Sequence, residues 1–172
     1  AWGATFYIVP LVNAITRSGT QEEKELIFKS MLKFEALKDI PSNKRGHKVG
    51  ETEQLVTQAI RTCTNVKNRQ TRAEEAGIEL VTNLIEQNHM LDHKVLLFLL
   101  ESGQIPPAIR GLVANKLMAR YQRPCCMLTK TTKDGVISYE GSARGCDKVG
   151  VTEFKDICAA TQVCEYTVGH QG

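Results

Sequence analysis

Between about Glu51 and His89, small and apolar residues recur in steps of three and four: Val56, Ala59, Cys63, Val66, Gln70, Ala73, Gly77, Leu80 and Leu84. That period is the stripe of one long α-helix, continuous or interrupted. Most of the stripe is small, so the helix suits close packing against a neighbour rather than a thick core. Asn65, Lys67, Asn68, Arg69 and Arg72 ride mid-helix. They read either as a solvated face or as a face that contacts a nucleic-acid strand.

Ahead of this helix, residues Ala1 to Ser18 show no clear period, although Trp2, Phe6, Tyr7 and Ile8 need something to pack on. Asn13 and Arg17 stand four apart. If the stretch is helical they share one face and could reach a common phosphate; the alternative is a plain surface pair. Thr20-Gln21-Glu22-Glu23 fits a capping box and opens a helix with Ile27, Met31 and Phe34 on one stripe. That helix should end before Pro41, which has no N–H to donate. Pro41 to Lys48 is a polar, basic loop, either a solvated connector or a contact for a nucleic-acid backbone.

Beyond the long helix the chain reads as a compact α/β unit. Val95 to Leu100 is short and wholly apolar, which predicts a buried strand. Pro106-Pro107 starts a helix carrying Ile109, Leu112, Val113, Leu117 and Tyr121. Pro124 to Leu128 is the next strand, and Lys133-Asp134-Gly135 turns into a further strand that ends at Gly141. Val151 to Ala160 should be helical, and Val163 to Val168 a last strand. This order suits one small sheet with helices on it.

The chemistry concentrates in Tyr139-Glu140-Gly141-Ser142-Ala143-Arg144-Gly145. A strand entering a glycine-flanked turn lets a ligand approach the backbone closely. Ser142 adds a hydroxyl, and Arg144 a planar cationic fork suited to phosphate. An ordinary hairpin exit with a surface arginine is the competing reading. Arg110, near the start of a helix whose first amides favour anions, is either a second phosphate contact or a plain surface charge.

Other classes of function find little support. No apolar run approaches membrane-spanning length, and the first residues lack a signal-peptide pattern. The six cysteines show no paired Cys-x-x-Cys spacing, so reduced thiols in a cytoplasmic protein are the simplest expectation. Asp92-His93 cannot aim two adjacent side chains at one metal, and His89 with His93 lacks a third ligand. A formal charge of +3 permits a nucleic-acid surface without demanding one. Few aromatic residues argue against a long base-stacking platform.

Gly141-Ser142-Ala143-Arg144, followed later by Gly169-His170, resembles the DHHA1 domain of the DHH phosphoesterase superfamily. There a Gly-Ser-x-Arg turn and a Gly-Gly-His segment form the substrate-binding face. Val9 to Ala14 with Arg17, Asn65 to Arg72, and Ile109 to Ala114 resemble further stretches of RecJ-like single-stranded-DNA-specific exonucleases of the phage or prophage type. The resemblance covers nearly the whole chain. Leu11 departs from the usual arginine after proline, and Val168 replaces the first glycine of the later segment.

The resemblance implies an α/β fold: a long helical linker followed by a small DHHA1-like mixed sheet with helices packed on it. Residues 1–50 would close a catalytic-domain region, 51–92 would connect, and 93–172 would be a substrate-binding domain cut short at its end. Both termini look cut, since the chain opens on Ala1 and stops just after Gly169-His170. Arg144 would clamp phosphate, with Ser142 and the amides of Gly141 and Gly145 completing a cradle. His170 with Gly169, Arg110, Asn13 and Arg17 would add substrate contacts. Manganese or magnesium would be bound outside these residues, in a missing amino-terminal domain, so the chain alone should be inactive. Single-stranded DNA is the implied partner, digested 5′ to 3′. The alternatives are a relative acting on short oligonucleotides or cyclic dinucleotides, and a non-catalytic nucleic-acid-binding module like that of alanyl-tRNA synthetases.

Overall fold

The computed structural model describes residues 4–169. The fold is mixed α/β and divides into two compact units, one up to Arg72 and one from Ala73 onward. Helix α3 (Leu55–Gln87) contributes a segment to each.

In the first unit a wide helical turn, Ala4–Ile8, runs into helix α1 (Val9–Ser18), with Pro10 in the first turn, where a missing N–H is not needed. Helix α2 (Gln21–Ser30) opens on the expected capping box: the Glu23 amide donates to Thr20 Oγ1 at 3.3 Å, and the Thr20 amide donates to Glu23 Oε2 at 2.8 Å. Strands β1 (Asp39–Pro41) and β2 (Thr52–Gln54) pair antiparallel. Ala14, Ile15 and Ile27 form the core with Ala59, Cys63 and Val66 of α3.

Two expectations fail here. The helix after Thr20 stops at Ser30 and gives way to turns, so Met31 and Phe34 leave the Ile27 stripe and are exposed. Phe6, Tyr7 and Ile8 are likewise exposed rather than packed in; Trp2 lies outside the described residues.

Helix α3 runs uninterrupted for 33 residues, about 50 Å at 1.5 Å per residue. Its buried line follows the expected stripe through Ala59, Cys63, Val66 and Gln70, then passes to Glu74, Val81 and Ile85. Ala73, Leu80 and Leu84 are only half-buried. The expected stripe advanced 3.5 residues per turn, whereas a straight helix advances 3.6, so after two heptads burial moves to the next residue. Gly77 remains in line and shows why small residues matter. A Cβ there would sit 3.2 Å from Val113 Cγ2 and 3.4 Å from Ile105 Cδ1.

The second unit holds a three-stranded sheet in the order β3 (Leu96–Leu100), β4 (Cys125–Lys133), β5 (Val136–Arg144). Strands β3 and β4 are parallel, joined by helix α4 (Pro107–Tyr121); β4 and β5 are antiparallel. Asp134 and Gly135 make the two-residue hairpin loop with φ of 52° and 79°, the left-handed pair such a tight turn needs. Leu96, Phe98, Leu100, Cys125 and Met127 pack one sheet face against Ile109, Val113 and Leu117 of α4 and Val81 and Ile85 of α3.

Leu97 and Leu99 point the other way and are exposed, so β3 is buried on one face rather than both. Helix α5 (Phe154–Thr161) largely overlaps the helix expected from Val151 to Ala160, but Val163 to Val168 is not a strand. Among the described residues no helix is long and apolar enough to cross a membrane.

Candidate functional site

The stretch read as a glycine-flanked turn is strand. β5 continues through Gly141, Ser142 and Ala143 to Arg144, pairing Gly141 with Leu128, Ser142 with Met127 and Arg144 with Cys125. The hairpin loop lies earlier, at Asp134-Gly135, and neither Gly141 nor Gly145 has a positive φ. What these glycines supply is close approach of protein to protein. A Cβ on Gly141 would fall 1.8 Å from the Met127 carbonyl oxygen, and one on Gly145 would fall 2.3 Å from that of Val151. Gly145 is buried. An open cradle of Gly141 and Gly145 amides is therefore not the arrangement found.

Strand register does something the turn reading missed. Residues paired across a sheet share a face, so Glu140, Ser142 and Arg144 lie on one side of β5 with Thr129, Met127 and Cys125 of β4. This is the side on which α4 packs. Gly111 of α4 meets Ser142 and Arg144 there: a Cβ at Gly111 would be 2.6 Å from Arg144 Nη2 and 3.6 Å from Ser142 Oγ. Bare helix backbone thus admits the guanidinium. No spacing rule connects residue 111 to residue 144, so only the register and the helix packing reveal it.

Arg110 is neither a plain surface charge nor an open anion contact. It is buried, with Nε donating to the Ile105 carbonyl at 3.3 Å and Nη1 to the Glu140 carbonyl at 3.4 Å. Its Nη1 also lies 3.6 Å from Glu140 Oε1. Arg110 therefore ties the loop before α4 to β5, two residues from Ser142. Thr129, across from Glu140, is buried, and its hydroxyl has no hydrogen-bond partner. Burial pushes the Cys125 thiol up to about 12, with Cys126 adding to the rise and Arg144 opposing it. A neutral thiol consequently lies beside the Arg144 cation.

The other expected residues are distributed elsewhere. Asn13 and Arg17 sit one turn apart on α1 of the first unit. Gly169, with φ of 128°, follows the irregular segment after α5. His170 lies outside the described residues. In the mid-helix cluster, Arg69 donates twice to the Glu23 carboxylate, at 3.1 and 2.8 Å, and so braces α3 to α2. Arg61 was not singled out by the sequence, yet it donates to Glu53 at 2.7 Å and to Asn43 Oδ1 at 2.6 Å. That guanidinium holds the Glu53 carboxyl well below the usual carboxylate range, at about 2.

No protein-family model matches the chain. Over 166 residues it is 32% identical to the SPbeta prophage-derived protein YorK of Bacillus subtilis (strain 168), named as a single-strand DNA-specific exonuclease. It matches the YorK protein of Bacillus phage SPbeta to the same degree. The match takes in 96% of this chain and 28% of the relative, so the chain spans little more than a quarter of these proteins. Its fold is similar to part of RecJ from Thermus thermophilus in complex with Mn2+, with a TM-score of 0.62 at 17% identity over 99% of this chain and 21% of that one.

The chain is similar to part of a single-strand DNA-specific exonuclease in sequence and to part of RecJ in fold.

A second RecJ structure, of the exonuclease bound to manganese, matches with a TM-score of 0.58 at 15% identity, over 99% of this chain and 35% of that one. The Thermus protein was also solved with Mg2+. The described residues of this chain do not fit such an ion. Among those described, no three His, Cys, Asp or Glu side chains are grouped so as to hold one.

Proposed function

We propose that this chain is the substrate-binding portion of a RecJ-like single-stranded DNA exonuclease acting from 5′ to 3′, whose manganese or magnesium centre is held by residues outside these 172. The observation that carries the reading is the convergence of Arg144 and Ser142 on the bare backbone of Gly111. A planar guanidinium beside a hydroxyl, seated where Gly111 has no side chain and steadied by donating to the Ala143 carbonyl, suits one phosphodiester. The relationship to YorK, named as a single-strand DNA-specific exonuclease, supports DNA as the polymer.

In this reading Arg144 binds and orients the phosphate while Ser142 donates a second hydrogen bond. Arg110 is a positioning residue: its bonds to Ile105 and Glu140 fix β5 against α4. Gly141 and Gly145 keep the strand close to its neighbours rather than touching substrate. Asn13 and Arg17, on α1, would contact the backbone of the same class of polymer; His170 with Gly169 would add a further contact near the chain's end.

Fluorescence-anisotropy titration of the chain with single-stranded and duplex oligonucleotides at two salt concentrations tests the proposal. Tighter binding of the single strand, weakening with salt, is expected, because few cations make the contacts and each releases counterions. Equal affinity for both forms, or affinity unaltered by salt, would refute it.

A further inference from the structure

The first unit contains a cavity of about 530 Å³ between α2, β1 and α3, separate from the Arg144 site in its residues and opposite in its chemistry. Its apolar wall is Leu26, Ile40 and Pro41. Facing groups include the amides of Gln58, Asn43 and Asn65 and the hydroxyl of Thr62. The only cation among the lining residues, Arg69, is spent on a two-point ion pair with Glu23. Glu22 adds a carboxylate kept ionised by its hydrogen bond to Thr20. The lining is thus net negative and would repel a phosphate.

Gln58 gives the independent sign that something polar belongs here. It is 8% exposed, and its Oε1 is buried without a hydrogen-bond partner. An amide buried with an unmet oxygen costs stability unless a ligand or a rearranged neighbour completes its bonds. Asn43 has its oxygen occupied by Arg61, which leaves its NH2 as a donor.

We infer that this cavity is a subsite for one unpaired nucleobase: flat, uncharged, with an apolar face and an edge of alternating donors and acceptors. The apolar wall receives the face of the ring. Gln58, Asn65 and Asn43 each offer the side-chain amide that pairs with a base edge, and Glu22 accepts from an exocyclic amine. The inference rests on the single-stranded DNA reading for its choice of polymer. It deepens that reading by adding recognition of a base, beside the backbone contacts of Asn13 and Arg17, to the first unit.

The test is an NMR titration of the isotope-labelled chain with deoxynucleosides, with deoxyribose as control. Nucleosides carry no phosphate, so failure of the Arg144 site cannot cause a negative result here. Expected are shifts of the Gln58 and Asn65 side-chain NH2 resonances with nucleosides and none with deoxyribose. Gln58→Leu, which removes the unmet amide while filling its place, should weaken nucleoside binding about threefold to tenfold, the worth of one neutral hydrogen bond. Asn65→Ala, at an exposed position, should also weaken it without touching the fold. Nucleosides that leave these resonances unmoved, or bind both variants as tightly as the parent, would overturn the inference. If oligonucleotides still bind in that case, the phosphate reading survives alone.

Discussion

Replacing Gly111 with alanine separates ligand binding from folding at the Arg144 site. The new methyl would arise 2.6 Å from Arg144 Nη2 and 3.5 Å from Cζ. Ordinary contact requires the guanidinium to withdraw by about 1 Å, which a long side chain can do. The same change removes a glycine from the interior of α4 and should gain about 1 kcal/mol of helix propensity. A protein of this size would then melt unchanged or up to about 2–4 °C higher. Binding should move the opposite way. A charge-assisted contact is worth about 1.5–3 kcal/mol, so displacing the fork weakens single-stranded DNA binding by up to roughly tenfold to a hundredfold. Arg144→Ala should match that loss, and Arg144→Lys should recover part of it, since an ammonium keeps the charge without the fork. Anisotropy titrations beside thermal melts provide both readouts. Gly111→Ala binding DNA as well as the parent would refute the assignment of Arg144. A melting temperature that falls in step with affinity would show a packing defect instead.

Two further outcomes follow from the framework around the sites. Gly141→Ala puts a methyl 1.8 Å from the Met127 carbonyl oxygen, so backbone must move and unfolding in denaturant should come earlier by about 1–3 kcal/mol; an unchanged midpoint would contradict the close approach of β4 and β5. The Glu53 carboxyl titrates lower folded than unfolded, so its contribution is present above the ordinary glutamate value of about 4.3 and is lost as pH falls toward about 2. Glu53→Gln should flatten the acid side of a stability–pH curve over that window, and an unaltered curve would count against the Arg61–Glu53 pair.

Much of the scaffold was legible because it depends on local rules. The Thr20 to Glu23 capping box, the α3 stripe as far as Gln70, the Pro107 start of α4 and the Asp134-Gly135 hairpin each follow from neighbouring residues alone. The misreadings were tertiary. Gly141 and Gly145 looked like turn glycines, but their freedom serves tight approach of β4 and the segment at Val151. Arg110 reads in the sequence as a phosphate contact or a surface charge because nothing near it announces Glu140 as a partner. The Gly111 gap needed the pairing of β4 with β5 and the seating of α4, both long-range. Val163 to Val168 has strand-like composition, yet it pairs with no strand in the structure.

The most direct test of the central claim is to incubate the purified chain with labelled single-stranded DNA and manganese, following complex formation and nucleotide release in one experiment. The account predicts a salt-sensitive complex and no released mononucleotides, because it assigns the phosphate receptor to these residues and the metal centre to others. Manganese-stimulated release of mononucleotides, or no complex at any salt concentration, would contradict it.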